Sequence, residues 1–539
     1  MYKKWLILIL LLAAFFRFFH LTSSPPGLNW DEVSIGYNAY SVLKTGRDEW
    51  GQFLPLSFKA FGEQKLPGMI YASIPGIALF GTTDFGVRVT PALIGMLAVW
   101  LIYLLSKKYF HSEPLALIAS FLLAISPWAV HFSRVSFEAG LAMVFVMASI
   151  YFLPNLWLSM IFAVLAVYTY NSVRILLPLM FIVYLINGVI IWRKETGKKL
   201  LQVLLVGVIL ITPIIIDLAK PEGRVRLGTV SISTQKSFLE GIAESRGYTK
   251  LPGILPKLIH NKATHYSYAL FTNYLHIFST EFLYFSGGEN SQRSVQGIGL
   301  LHLFELPIFI LGLLSLLKKA PNNDHLRSII LPWLLLSPIP SIITIDSPST
   351  VRALNVLPAL IMIESIGAMM AYSWLKQHKV SLLLATIFIV WNISYLAYLL
   401  FFVYPVKYSD KWLYGYQQAI SFIQANYAEA NKIYLTTKFG EPYIYTLFYS
   451  GFDPHKFQTG KVEREVDPLG WVHVRSFDKY IFSDFSGLEE PKEIVSRGSG
   501  KLIMVTGFTQ LPSEYQREFA LTAPNWEVMF EGTIQKGMQ

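Results

Sequence analysis

Residues 80–110 read FGTTDFGVRVTPALIGMLAVWLIYLLSKKYF, and from Val89 to Ser106 no charged residue intervenes before Lys107 and Lys108 close the run. A helix over that interval rises about 27 Å, close to the roughly 30 Å of hydrocarbon in a bilayer. The pattern repeats along the chain. Apolar runs bounded by Lys and Arg recur from Trp5 to Val403, and we read crossings over residues 5–21, 89–106, 113–131, 138–153, 156–172, 174–192, 200–217, 299–317, 328–345, 352–374 and 380–403. That makes about eleven transmembrane helices in an all-α polytopic membrane region. Composition agrees, since 53% of the residues are hydrophobic and only 15% are charged, a balance that soluble proteins rarely show. After Pro405 the apolar runs stop.

The formal net charge is +10, yet the basic residues sit in short connections between apolar runs rather than on one soluble face. They read as topology signals, and no nucleic-acid partner is expected. With a cytoplasmic N-terminus, Lys3, Lys4, Lys107, Lys108, Arg193, Lys194, Lys198, Lys199, Lys318, Lys319, Arg327, Lys376 and Lys379 all fall inside, as the positive-inside rule prefers. The expectation is a multi-pass cell-membrane protein whose C-terminus lies outside, together with the long connections 22–88 and 218–298. Tyr2 to His20 begins like a signal peptide but shows no small-residue cleavage site, so we read it as a retained helix. Cysteine is absent, which excludes a disulfide scaffold and Cys-based metal sites.

Within the first outer connection, Asp31 to Thr45 places Val33, Tyr37, Tyr40 and Leu43 at helical spacing. This predicts an amphipathic helix lying flat at the interface and ended by Gly46. Leu66 to Phe80 is apolar but short and broken by Pro67 and Pro75, so it is expected to be re-entrant or interfacial rather than spanning. From Tyr404 to Gln539 a helical pattern at Gln417 to Tyr427 alternates with strand-like segments at Lys432 to Thr437, Lys479 to Phe482 and Leu502 to Thr506. The chain therefore divides into a transmembrane domain, residues 1–403, and an extracytoplasmic soluble α/β domain, residues 404–539.

Asp31 and Glu32 stand about ten residues beyond the first crossing, at the start of the interfacial helix. An acid there can cap free backbone N–H groups and suit the helix dipole. Alternatively, a carboxylate held above the bilayer can accept the proton of a hydroxyl that attacks a sugar carbon. With phosphate as the leaving group no general acid is needed, but cations must hold that phosphate. The outer face supplies Lys65, Arg88, Arg134, Arg174 and Arg352; each either binds phosphate or snorkels to lipid head groups. Glu63 and Glu138 can orient these cations or add a second carboxylate, His302 reads as structural, and Arg17 in the first crossing is expected to pair or snorkel.

The segment PPGLNWDEVSIGYNAYSVLKTGRDEWGQFLPLSFKAFGEQKLPGMIY, the FGTTDFGVRV run quoted above, SPWAVHFSRVSFEAG, AVYTYNSVRILLPL and IILPWLLLSPIPSIITIDSPSTVRALNVLPAL together resemble the GT-C membrane glycosyltransferases. The likeness is greatest to the branch of protein O-mannosyltransferases and lipid A aminoarabinose transferases (glycosyltransferase family 39-like), and it covers residues 1 to about 370. The resemblance implies a polyprenyl- or dolichyl-phosphate sugar donor and an outward-facing site. It also implies inversion at the anomeric carbon and an Asp in the first outer loop as base. Asp31 matches that Asp, and Glu63, Lys65 and Pro67 match the acid, lysine and proline that lie by the donor phosphate. Two departures keep the sugar open. Leu66 and Pro67 replace consecutive prolines, and Ser34 stands where the aminoarabinose branch has arginine. No WWDYG stretch occurs, against the relatives that move whole glycans.

Partners expected on this reading are the lipid-linked donor, the bilayer, and a protein, glycan or lipid acceptor. No cofactor is required, with a divalent metal, Mg or Mn, left open. A transporter or lipid-linked sugar flippase is the competing reading, although no internal repeat is present and the distinctive charges gather at one surface. A membrane-anchored binding protein would leave the elaborate first loop unexplained.

Overall fold

The computed structural model describes residues 2–190, 194–219, 231–232, 236–318, 324–468, 470–485, 489–507, 509–525 and 527–538. Arg193 and Lys319, counted above among the inside charges, lie outside the described residues. The described residues pack as two compact units that do not follow chain order. One comprises 1–17, 94–133 and 138–397, the other 18–93, 134–137 and 398–539. The sequence reading divided the chain at Val403. By packing, the first outer loop and the tail form a single body.

The first unit is helical. Among the described residues of the whole chain four helices are long and apolar enough to cross a membrane, Asp84–Phe110, Gly197–Asp217, Leu354–Leu375 and Lys379–Lys407, and of six shorter apolar helices all but Pro67–Phe80 belong to this unit. Several crossings are interrupted where the sequence read them as continuous. Residues 113–131 split into Glu113–Ile125 and Pro127–Phe132, because Ser126 caps the second helix and Pro127 opens it. The run 299–317 becomes helical only at Glu305, and 328–345 is broken between Leu336 and Ile339. Helices Glu305–Leu317 and Leu357–Leu375 cross at Gly312 and Gly367. A Cβ there would stand 1.9 Å from the Ile363 carbonyl or 1.7 Å from that of Ile308, so both positions require glycine. Arg17 does not snorkel; it is buried and donates to the carbonyls of Ala13, Ala124 and Leu123 at 3.1, 2.9 and 3.3 Å.

The second unit is built on a seven-stranded mixed sheet. After α1 (Tyr2–Phe18) and α2 (Trp30–Thr45), a small hairpin pairs β1 (Phe58–Ala60) with β2 (Glu63–Lys65), and α3 (Pro67–Phe80) and α4 (Asp84–Phe110) follow. The tail contributes β3 (Lys432–Thr436), β4 (Val462–Val466), β5 (Val472–Phe477), β6 (Tyr480–Ser483), β7 (Lys501–Gly507), β8 (Phe519–Thr522) and β9 (Val528–Lys536), in the order β4-β5-β6-β3-β7-β9-β8. Only β3 is parallel to its neighbours β6 and β7. The three strands expected from sequence, β3, β6 and β7, are its centre. The outlying β4 is charged and exposed, with Glu463, Arg464 and Glu465, which blunts an open edge.

Two expectations for the first outer loop change. The helix α2 forms, but it does not lie flat with a solvated face. Val33, Ile35, Tyr37 and Ala39 are buried, and so are Glu32, Ser34, Asn38 and Ser41, because α2 packs against α3 and the tail helices Pro442–Tyr449 and Pro454–Thr459. Gly36 permits that approach, since a Cβ there would meet Phe448 and Val87 at 2.7 Å. The segment Leu66–Phe80 is not broken at its prolines. Pro67 opens α3, where a missing N–H costs nothing, and Pro75 is carried within it.

Candidate active site

The N-terminus of α2 assigns different tasks to its two acids. Asn29 is the N-cap, accepting from the Glu32 N–H at 3.0 Å while Glu32 Oε2 accepts from the Asn29 N–H at 3.3 Å. The capping box thus uses Asn29 and Glu32, a signal readable as N-x-x-E in the sequence. Asp31 is not part of the cap. Its side chain stays 36% exposed, and its Oδ1 lies 2.5 Å from Lys65 Nζ, which is 4% exposed.

Local structure explains how Lys65 reaches it. Phe61 and Gly62 both take positive φ, 57° and 134°, turning the hairpin so that Lys65 pairs across from the buried Phe58. Leu66 and Pro67 then start α3 at once, which fixes the lysine at the junction. Glu63 opens β2, opposite Ala60 and partly buried. A charge-assisted contact of this kind combines an exposed carboxylate with a cation already desolvated against it.

Glu32 faces inward instead. Its carboxylate meets Arg88 at 3.2 Å from Nε and 3.1 Å from Nη2, and also accepts from the Ser136 N–H at 3.0 Å. Both members of this ion pair are fully buried. Arg88 donates further to the carbonyls of Leu21, Pro25 and Gly27, so it holds the loop entering α2 and is not placed as a phosphate ligand. Arg134, expected to bind phosphate, is likewise fully buried. It donates to the carbonyls of Ser24 and His20 at 2.9 and 2.7 Å, which commits its guanidinium to the same loop.

The remaining candidates belong to the helical unit. Arg352 is paired with Asp346, which also receives Arg293 at 3.0 Å. Arg174 stands at the start of helix Val173–Ile186 and lines a mostly apolar cavity of about 670 Å³. Glu138 opens helix Glu138–Tyr151, where its charge suits the dipole. His302 is buried, its Nε2 2.9 Å from the Ile125 carbonyl, as a structural histidine would be. Among the described residues no three His, Asp or Glu side chains gather as a metal-ligand set.

Sequence reasoning passed over Asp48 and Glu49. Burial pushes the Glu49 carboxyl up to about 8, with Asp48 adding to the effect. Burial also raises the Asp48 carboxyl, against the pull of the backbone N–H groups of Gln52, Trp50 and Gly51. The available signal was an acid pair two residues after the helix-ending Gly46 and directly before Trp50.

Comparison with known proteins defines the class first. ArnT from Cupriavidus metallidurans, bound to undecaprenyl phosphate, is similar in fold, with a TM-score of 0.52 and 12% identity over 98% of each chain. The archaeal oligosaccharyltransferase AglB from Archaeoglobus fulgidus, in complex with an inhibitory peptide and a dolichol-phosphate, aligns at a TM-score of 0.47 and 13% identity. That alignment covers 83% of this chain and 63% of AglB, so the chain spans less than two thirds of that protein. The chain has the fold of the GT-C membrane glycosyltransferases. Within that class, residues 67–216 match the family of dolichyl-phosphate-mannose-protein mannosyltransferases, and the resemblance to the branch of protein O-mannosyltransferases and ArnT holds. A search of the curated proteins finds no match. The likeness and the apolar helices make it a membrane protein.

Proposed function

We propose that the chain moves a single sugar from a polyprenyl- or dolichyl-phosphate carrier to an extracytoplasmic hydroxyl, with inversion at the anomeric carbon. The observation that carries this reading is the Asp31–Lys65 pair, an accessible carboxylate set 2.5 Å from a buried ammonium at the start of a helix. Asp31 takes the proton of the acceptor hydroxyl as its oxygen attacks the sugar. The bond from the anomeric carbon to the phosphate oxygen breaks, and the phosphate leaves with the electron pair. Lys65 neutralises the charge growing on that phosphate. Arg174 and Arg352 remain further candidates for the donor phosphate. The likeness to ArnT bound to undecaprenyl phosphate supports the carrier class.

The test incubates the purified protein with a panel of polyprenyl-phosphate sugars and follows release of the polyprenyl phosphate. Release from one donor is expected. In the same assay Lys65→Ala should weaken donor binding by about 1–3 kcal/mol, the worth of a charge-assisted contact. Normal donor binding by that variant would move the phosphate site to Arg174 or Arg352.

The orientation belongs to the same proposal: about eleven crossings, N-terminus cytoplasmic, and residues 404–539 outside, where they help present the acceptor. A polar groove of about 980 Å³, to which the tail contributes Asp453, His455 and Gln458 and the first outer loop Tyr40, Lys44 and Trp50, supports that last role. A reporter fused after Gln539 should be active only on the outer side. Cytoplasmic activity would overturn the helix count.

A further inference from the structure

The segment after α2 brings a second carboxyl group toward the Asp31–Lys65 pair. Gly46 ends α2 with φ 67°, and the chain turns at once, Asp48 accepting from the N–H groups of Trp50 and Gln52 at 3.0 and 2.8 Å. Glu49, inside this turn, is 1% exposed, and its carboxyl oxygens have no partner at full hydrogen-bond geometry among the described residues, while the side chains of Asn38 and Trp50 lie near enough to favour its ionised form against burial. Such a group is costly to bury and calls for a reason.

Two contacts fix where it stands. Its main-chain N–H donates to Asn38 Oδ1 at 3.1 Å, and Asn38 lies about two helical turns beyond Asp31, on the same face of α2. The next residue, Trp50, donates from its indole to the Lys59 carbonyl at 3.0 Å. Lys59 belongs to β1, in which Phe58 pairs across from Lys65. Glu49 is therefore pinned between the Asp31 face of α2 and the hairpin that carries Lys65, and the Lys65 charge acts on it. The other titratable groups that face it are Asp48, Tyr37 of α2 and Tyr443 of helix Pro442–Tyr449. Lys65 is the cation whose charge favours its ionised form.

We propose that Glu49 is a positioning residue for Lys65, switching how the ammonium is shared. Uncharged, Glu49 leaves Lys65 to Asp31 and the donor phosphate. Ionised, it draws the ammonium toward itself and repels that phosphate. The inference rests on the donor site proposed above. With its carboxyl pushed up to about 8 by burial, and then by Asp48, the change falls just above neutral pH.

The test measures the Kd of undecaprenyl phosphate for the purified full chain and for Glu49→Gln across pH 6 to 9.5. Binding by the wild type should weaken about tenfold more than binding by Glu49→Gln between pH 7 and 9.5, because only the former gains a competing charge. Loss of the lysine proton and the second ionisation of the phosphate affect both proteins alike. A ligand-free thermal midpoint reads Glu49 by itself. Its raised native value means that the folded chain keeps a proton that the unfolded chain releases above about 4.5. Wild-type stability should then fall from pH 5 to 8 more steeply than that of the variant. If Glu49→Gln fails to fold, Glu49→Met, also uncharged and of similar length, replaces it. A parallel weakening of binding in both proteins, or no weakening in the wild type, overturns the role of Glu49. Absence of binding by both at every pH overturns the donor reading and this inference with it.

Discussion

Asp31→Asn is expected to lower sugar transfer by about 10²–10⁴-fold, the usual worth of a general base, while polyprenyl phosphate still binds and the protein still accumulates. The amide keeps the size and most of the hydrogen-bonding capacity of the acid but cannot accept the hydroxyl proton. A capping role for Asp31 would make the change nearly harmless, since Asn caps a helix about as well as Asp. The structure gives the cap to Asn29 and the reciprocal bond to Glu32. What Asp31→Asn does remove is the charge of a carboxylate 36% exposed, and its amide oxygen still accepts a hydrogen bond from the Lys65 ammonium. A single-turnover rate on the variant decides the matter. Near wild-type turnover would pass the base to Glu63, because Glu32 is committed to Arg88.

Glu32→Gln carries the largest expected effect on stability. Around the helix Glu32 stands about 100° from Asp31 and so points away from the reacting atoms. It points instead at Arg88, with both groups fully buried. Removing one partner of such a pair leaves an uncompensated interior charge and typically costs about 3–5 kcal/mol, a large share of the 5–15 kcal/mol that holds an ordinary domain together. Glu32→Gln and Arg88→Ala should therefore each lower the thermal midpoint in detergent and the yield of folded protein. The double variant Glu32→Gln with Arg88→Met should recover part of the loss, since no lone charge remains. If Glu32→Gln melted like the wild type, the pair would not be what anchors the start of α2.

The contrast between the two neighbouring acids shows where reading the chain stopped. That Asp31 and Glu32 open a helix was legible from N-x-x-E and from the apolar spacing that follows. Which of them faces a buried arginine and which faces Lys65 was not, because the answer depends on Arg88 and on a hairpin about thirty residues further on. Lys65 was legible as one of five cations on the outer face, and the resemblance of its surroundings to a family motif set it beside the donor phosphate. Arg134 shows the same limit. A buried arginine that satisfies main-chain carbonyls and one that holds a phosphate are alike in composition and differ only in what lies within 3 Å.

By itself, the sequence determined that this chain lives in a membrane and carries a tail of different composition. Hydropathy and charge are local properties that integrate over twenty residues, and they survive without knowledge of neighbours. The central strands of the tail were legible for the same reason. Only the tertiary structure decided that the tail and the first outer loop form one body, that α2 is buried rather than spread on an interface, and that Glu49 lies buried within reach of the Lys65 charge. Each of these depends on packing between segments far apart in the chain. Burial and pairing are set there by the desolvation of specific groups rather than by the average polarity of the segment that carries them.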